Sequence, residues 1–134
     1  MFHQLCGCLF VAILPISQQA SGKSTGDSVE PKALIFGGNG FLGSEAADQL
    51  IKSGYNVSMV TRGNGYWDSK ERIFSKVTHI KCDRNEGLNR CEGFQKLILD
   101  DDIRFDAVVD LTARYSNQIP EAVTLTQDIV SVAF

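Results

Sequence analysis

Residues 33–43 read Ala-Leu-Ile-Phe-Gly-Gly-Asn-Gly-Phe-Leu-Gly, and the change of character at Phe36 decides the fold. Ala33 to Phe36 is an apolar run of strand length. Glycines then recur at every third position, Gly37, Gly40 and Gly43, and beyond them Phe41, Leu42, Ala46, Ala47, Leu50 and Ile51 return at three- and four-residue spacing. That period marks a helix with one buried face. A glycine pattern has mechanical meaning in one setting only, the turn between a strand and a helix. There Gly37 permits a tight turn, Gly40 lets the backbone approach a pyrophosphate with no Cβ in the way, and Gly43 lets the helix pack close to the sheet. The free N–H groups and positive dipole end of the helix then attract phosphate. Dinucleotide binding is the expectation; the alternative is a degenerate fold that keeps these glycines for packing alone.

Working outward, Gly54 ends the helix as a C-cap, and Val57 to Val60 forms a second strand. A short helical piece near Ser69 to Phe74 leads to a third strand at Val77 to Ile80 and a helix from about Phe94 to Leu99. Phe105 to Leu111 reads as a fourth strand with Ala107, Val108 and Val109 as its buried run, and a last helix begins after Pro120. Alternation of strands and helices predicts an α/β fold, a doubly wound parallel sheet with right-handed crossovers in the order 3-2-1-4. Such a sheet is truncated after about four strands, leaving an apolar edge open to self-association. The Thr, Val and Ile of residues 119–134 weaken the case for the last helix.

Residues 1–22 contain no Asp, Glu, Lys or Arg. Leu5 to Ile16 is an almost unbroken apolar run, the length of a signal-peptide core and short of the roughly 20 residues that span a bilayer. Ala20-Ser21-Gly22 places small residues for cleavage before Lys23. A secretory route, to the endoplasmic reticulum lumen or outside, is therefore expected, without a membrane span in the mature chain. The alternatives are a cytoplasmic protein with a mis-assigned start and an uncleaved membrane-associated segment. Residues 23–31 read as a flexible lead-in, and 32–134 as the folded portion. Gly22-Lys23-Ser24-Thr25 resembles the tail of a P-loop but has Ser17 where that motif needs glycine. Cys82 and Cys91 remain in the mature chain, either paired or as reduced thiols. Asn56-Val57-Ser58 is an N-glycosylation sequon that matters only on the secretory route.

The 134 residues carry 13 basic and 16 acidic side chains, a net charge of −3, with 43% hydrophobic residues. This is the composition of one ordinary soluble domain, with no clustered positive charge for nucleic acid.

Four stretches in order, ALIFGGNGFLG, VTRGN at 60–64, IKCDRNE at 80–86 and FDAVVDLTA at 105–113, resemble the NAD(P)-dependent epimerase/dehydratase family, an extended or atypical branch of the short-chain dehydrogenase/reductases with a Rossmann-like fold. The likeness covers about residues 32–115. It implies that Gly37, Gly40, Phe41 and Leu42 line the pyrophosphate, with Gly43 behind them. After the second strand, where a carboxylate holds the ribose 2′-hydroxyl of NAD or a basic group accepts the 2′-phosphate of NADP, stand Thr61 and Arg62 and no acid. A guanidinium binds phosphate bidentately, so NADP is favoured over NAD, unless Arg62 is a solvated turn residue. By the same likeness Asp83 and Arg84 flank the adenine, and Leu111, Thr112 and Ala113 run beside the ribose and nicotinamide.

Family members act through a Tyr and a Lys four residues on, in a later strand and helix. Tyr66 and Lys70 have that spacing in the wrong place, and Tyr115 is followed by Ile119. No catalytic or metal-ligating residue is assigned. The expected function is the N-terminal dinucleotide-binding part of an epimerase/dehydratase-like oxidoreductase, inactive alone. The alternative is a secreted or lumenal interaction module that dimerises through its free edge.

Overall fold

The computed structural model describes residues 29–112 and 116–130. The candidate signal segment, most of the lead-in, Ala113, Tyr115 and the last four residues lie outside these. The elements run β1 (Lys32–Phe36), α1 (Phe41–Lys52), β2 (Asn56–Thr61), α2 (Ser69–Arg72), β3 (Thr78–Lys81), α3 (Glu92–Ile98), β4 (Ala107–Asp110) and α4 (Gln118–Thr126). All four strands are parallel, in the order β3-β2-β1-β4. The expected topology is present.

β1 runs through the middle of the sheet, and its side chains alternate between two cores. Leu34 and Phe36 join Val60, Ile80, Leu88, Phe94 and Phe105 on one face. Ala33 and Ile35 join Val57, Met59, Ala47 and Ile73 on the other. A parallel sheet covered on both faces has to be apolar on both, hence the unbroken run Ala33 to Phe36.

α1 ends as expected. Gly54, at φ +86, follows the cap residue Ser53, and the Gly54 and Tyr55 amides donate to the carbonyls of Ile51 and Leu50. This is a Schellman close, and the left-handed backbone at Gly54 is what calls for glycine there.

Three expectations are corrected. Phe41 and Leu42, placed on the inner face by their spacing, are 73% and 61% exposed. Helical period identifies a face but not where the sheet beneath it stops, and α1 begins past the end of β1. Ala107, Val108 and Val109 are half-buried, not buried, because β4 lies at the edge of the sheet. α4 starts at Gln118, before Pro120, not after it. Pro120 sits in the first turn, where a helical N–H has no intrahelical acceptor to lose.

Beyond α4 the chain returns beside the lead-in to β4. Phe105 and Val130 form a parallel bridge, and the Phe105 amide donates to the Ile129 carbonyl at 2.7 Å. Among the described residues this is the pairing on the outer side of that edge. Cys82 and Cys91 form a disulfide with their Cα atoms 5.3 Å apart, resolving the open question of the two thiols.

Candidate functional site

Parallel strands deliver all their C-terminal ends to one rim of the sheet, and there a cavity of about 380 Å³ opens. β1 contributes Phe36, Gly37 and Asn39 to its wall, and β2 contributes Thr61 and Arg62. The exit of β3 supplies Cys82, Asp83 and Arg84, that of β4 Leu111 and Thr112, and α4 closes the far side with Gln118. The chain reverses its order between β1 and β4, and the crevice at such a switch point is where open α/β sheets bind ligands.

The three spaced glycines do different work. Gly37 has φ +81, and a Cβ there would lie 1.9 Å from the Thr112 methyl, so the end of β4 closes against it. At Gly43 a Cβ would meet the Gly37 carbonyl oxygen at 2.0 Å and the Gly38 Cα at 2.8 Å. It thus packs the helix against the turn itself, not against the sheet as expected. Gly40 differs from both. Its backbone is extended, with φ −77 and ψ 177, and a Cβ would come no nearer than 3.7 Å to anything. Among the described residues nothing is close enough to require glycine at that position. It is the cap of α1, no side chain caps the helix, and no acid lies in its first turn. The leading amides of α1 are left uncovered with the positive end of the helix dipole behind them, a seat for an anion. Packing alone therefore explains Gly37 and Gly43 but not Gly40. Phe41 and Leu42 follow with exposed side chains, and their place at the start of α1 offers an anion their backbone N–H groups.

Asn39, inside the glycine turn, went unweighed in the sequence because only its glycine neighbours carried a motif. It is 8% exposed and donates through Nδ2 to the Asn64 carbonyl, tying the glycine turn to the loop after β2. That loop is shaped by Thr61, whose hydroxyl contacts His79 Nε2 at 2.5 Å and accepts from the Gly63 amide. Desolvation holds the His79 imidazole below its ordinary pKa. Arg62 follows at the cavity rim, exposed and without an ion-pair partner among the described residues.

Arg84 is in the opposite condition. Its guanidinium contacts both oxygens of Asp110 at 2.6 and 2.7 Å, donates to the Gln118 carbonyl, and lies 5.2 Å from the centre of the Phe36 ring. One side chain from the exit of β3 thereby fastens the exit of β4 and the start of α4. Asp83 accepts from the Asn85 amide and caps the 3₁₀ turn Arg84–Glu86. The Cys82–Cys91 disulfide closes the loop that contains both residues. Arg84 thus builds the wall with its charge already matched, while Arg62 keeps its charge for whatever enters. Gln118 was not found from sequence, since nothing local reveals that the start of α4 comes back to this rim. Leu111 donates its amide to the Phe36 carbonyl, and Thr112 donates its amide to Asp110 Oδ1. Ala113 lies outside the described residues.

Tyr66 and Lys70 stand apart from the cavity. The Tyr66 amide and carbonyl both bond the Ser69 hydroxyl, forming the turn into α2, and its ring lies beside Trp67. Among the described residues no group of three His, Cys, Asp or Glu side chains is placed to hold a metal, and no helix is long and apolar enough to cross a membrane.

Solved structures similar to the chain include the following two. UDP-glucose 4-epimerase is 22% identical with a TM-score of 0.47, the match covering 71% of this chain and 26% of that one. A protein of proposed epimerase function from Burkholderia cenocepacia J2315 is 27% identical with a TM-score of 0.46, covering 74% of this chain and 31% of that one. The chain thus matches a quarter to a third of the length of these proteins. No curated protein matches it. Residues 33–132 match the NAD dependent epimerase/dehydratase family, and that span is most of the chain. With its glycine turn, uncapped α1 and four-stranded rim, the chain belongs to the NAD dependent epimerase/dehydratase family.

Proposed function

We propose that the chain is the dinucleotide-binding part of an epimerase/dehydratase-like oxidoreductase and takes the phosphorylated nicotinamide cofactor, NADP. One observation carries the binding: Gly40, which needs no glycine for its own fold, sits at the uncapped N-terminus of α1. The amides of Phe41 and Leu42 are suited to the pyrophosphate, Asp83 and Asn85 to the adenine side, and Thr112 to the nicotinamide side. When bound, the nicotinamide supplies a hydride acceptor. Arg62, without an ion-pair partner among the described residues and placed after β2 where NAD binders present an acid, favours a 2′-phosphate. Tyr66 lies in the turn into α2 and Lys70 within α2, both outside the cavity wall, which supports the reading that the chain alone binds without turnover.

Calorimetry with NADP⁺ and NAD⁺ tests this. NADP⁺ should bind about tenfold or more tightly than NAD⁺, the worth of a charge-assisted contact, and Arg62→Ala should erase the gap. Gly40→Val should abolish binding of both in a chain that stays folded, with the lowered Tm that exchanging a cap glycine for a β-branched residue brings. Absence of binding at millimolar cofactor refutes the reading; equal affinities refute the choice of NADP.

We also propose delivery to the secretory pathway, on the uncharged run Leu5 to Ile16. N-terminal sequencing of expressed protein should begin at Lys23.

A further inference from the structure

We propose that Asn56 is an N-glycosylation site, an inference that rests on the secretory reading above. Asn56-Val57-Ser58 has the acceptor pattern, with a residue other than Pro in the middle. Three observations give it weight beyond the triplet.

Asn56 is exposed and is the first residue of β2, directly after the turn at Gly54. The space around that turn is open, since a Cβ on Gly54 would meet nothing within 4 Å. The Asn56 backbone is engaged, its amide donating to the Pro31 carbonyl, but its side chain has no hydrogen-bond partner among the described residues. A glycan there displaces nothing.

Its position on the sheet is the second observation. Asn56 lies at the N-terminal end of β2, and the cavity is lined by Val60 and Thr61 at the other end. Three strand residues, Val57 to Met59, stand between Asn56 and the first lining residue, roughly 13 Å at about 3.3 Å per residue. A bulky, hydrated oligosaccharide at one end of the sheet leaves the other open to a dinucleotide.

The third is the Cys82–Cys91 disulfide. Structural disulfides form and persist in oxidising compartments, of which the endoplasmic reticulum lumen, where N-glycans are added, is one.

In the reaction, the glycosyl C1–O bond of a lipid-diphosphate-linked oligosaccharide breaks, and C1 bonds to Asn56 Nδ2. That nitrogen loses one proton, and the lipid diphosphate departs with the bonding pair. Ser58, the third residue of the acceptor pattern, is 8% exposed in the fold, paired in register with Leu34 and Thr78. Attachment therefore precedes the docking of β2 into the sheet, while the chain is entering the lumen.

The test is translation of the full chain with microsomes, read by protease protection and by gel mobility. A protected chain with one upward mobility step is expected, removed by peptide-N-glycosidase and absent from both Asn56→Gln and Ser58→Ala. Protection without the step overturns glycosylation while leaving secretory entry standing. A step that survives Asn56→Gln also overturns it. Loss of protection overturns both readings together.

Discussion

The two faces of this sheet are held down by different chemistry. On the face covered by α1 and α2, the helices are joined through Arg72, which lies within 3.2 Å of Glu45, Asp48 and Asp68. Most of these groups reach water. Gln49 and Arg72 hold the Glu45 carboxyl below the usual range, and Lys52, ahead of Arg72, does the same for Asp48. On the face covered by α3 and α4, the ties are a disulfide and an Arg84–Asp110 pair whose side chains are 9% and 19% exposed. Those ties also wall the cavity. One face is thus held by interactions that solvent weakens, and the other by interactions solvent barely reaches, on the side where the site is built. Disturbing the second face should cost both stability and binding, whereas disturbing the first should cost a little stability alone.

The largest effect should come from Asp110→Ala, which strands the Arg84 guanidinium in the wall without its counter-ion. A loss of about 3 kcal/mol is expected in urea unfolding, with weakened dinucleotide binding, because an uncompensated buried charge is costly. A loss under 1 kcal/mol would show that the pair is not a principal tie.

Next is Cys82→Ser with Cys91→Ser. Freeing a loop whose ends are nine residues apart should cost about 2.5 kcal/mol by the loop-entropy relation. Affinity should fall as well, since Asp83 and Arg84 lie within the loop. Unchanged affinity in the folded double variant would separate the disulfide from the site.

Arg72→Ala should cost about 1 kcal/mol, because Glu45 and Asp68 are exposed and the buried Asp48 keeps Lys52 as its partner, and it should leave cofactor affinity intact. Any clear loss of affinity would break the division between the two faces.

The smallest effect concerns pH. His79, beside the Phe74 ring at 4.8 Å and bonded to Thr61, is held below its ordinary value of 6.5 by desolvation. The folded state therefore binds fewer protons there than the unfolded chain. Its contribution is complete above pH 6.5 and is lost as pH falls through the lower, folded value. Tm should decline over that window in the wild type and decline less in His79→Gln; parallel curves would remove His79 from the account.

Where structure was legible in the sequence, the information was local. Strand, glycine turn and helix at 33–54 are set by contacts between residues a few positions apart, and even the C-cap at Gly54 was visible. The order of the four strands followed from alternation and crossover handedness, which constrain any chain of this pattern. The exposure of Phe41 and Leu42 was not legible, because apolar spacing is blind to where the neighbouring sheet ends.

The amino-acid sequence by itself determined the fold class, the strand order, the family and the glycine turn between β1 and α1, because each is written in a period or a short motif. Only the tertiary structure decided that Cys82 meets Cys91, that Arg84 is spent on Asp110 while Arg62 has no ion-pair partner among the described residues, and that Gly40 alone of the spaced glycines is not needed for packing among them. Arg84 and Asp110 are 26 residues apart along the chain. Only the crossover through α3 carries β4 back beside β1 and brings their charges together at the rim.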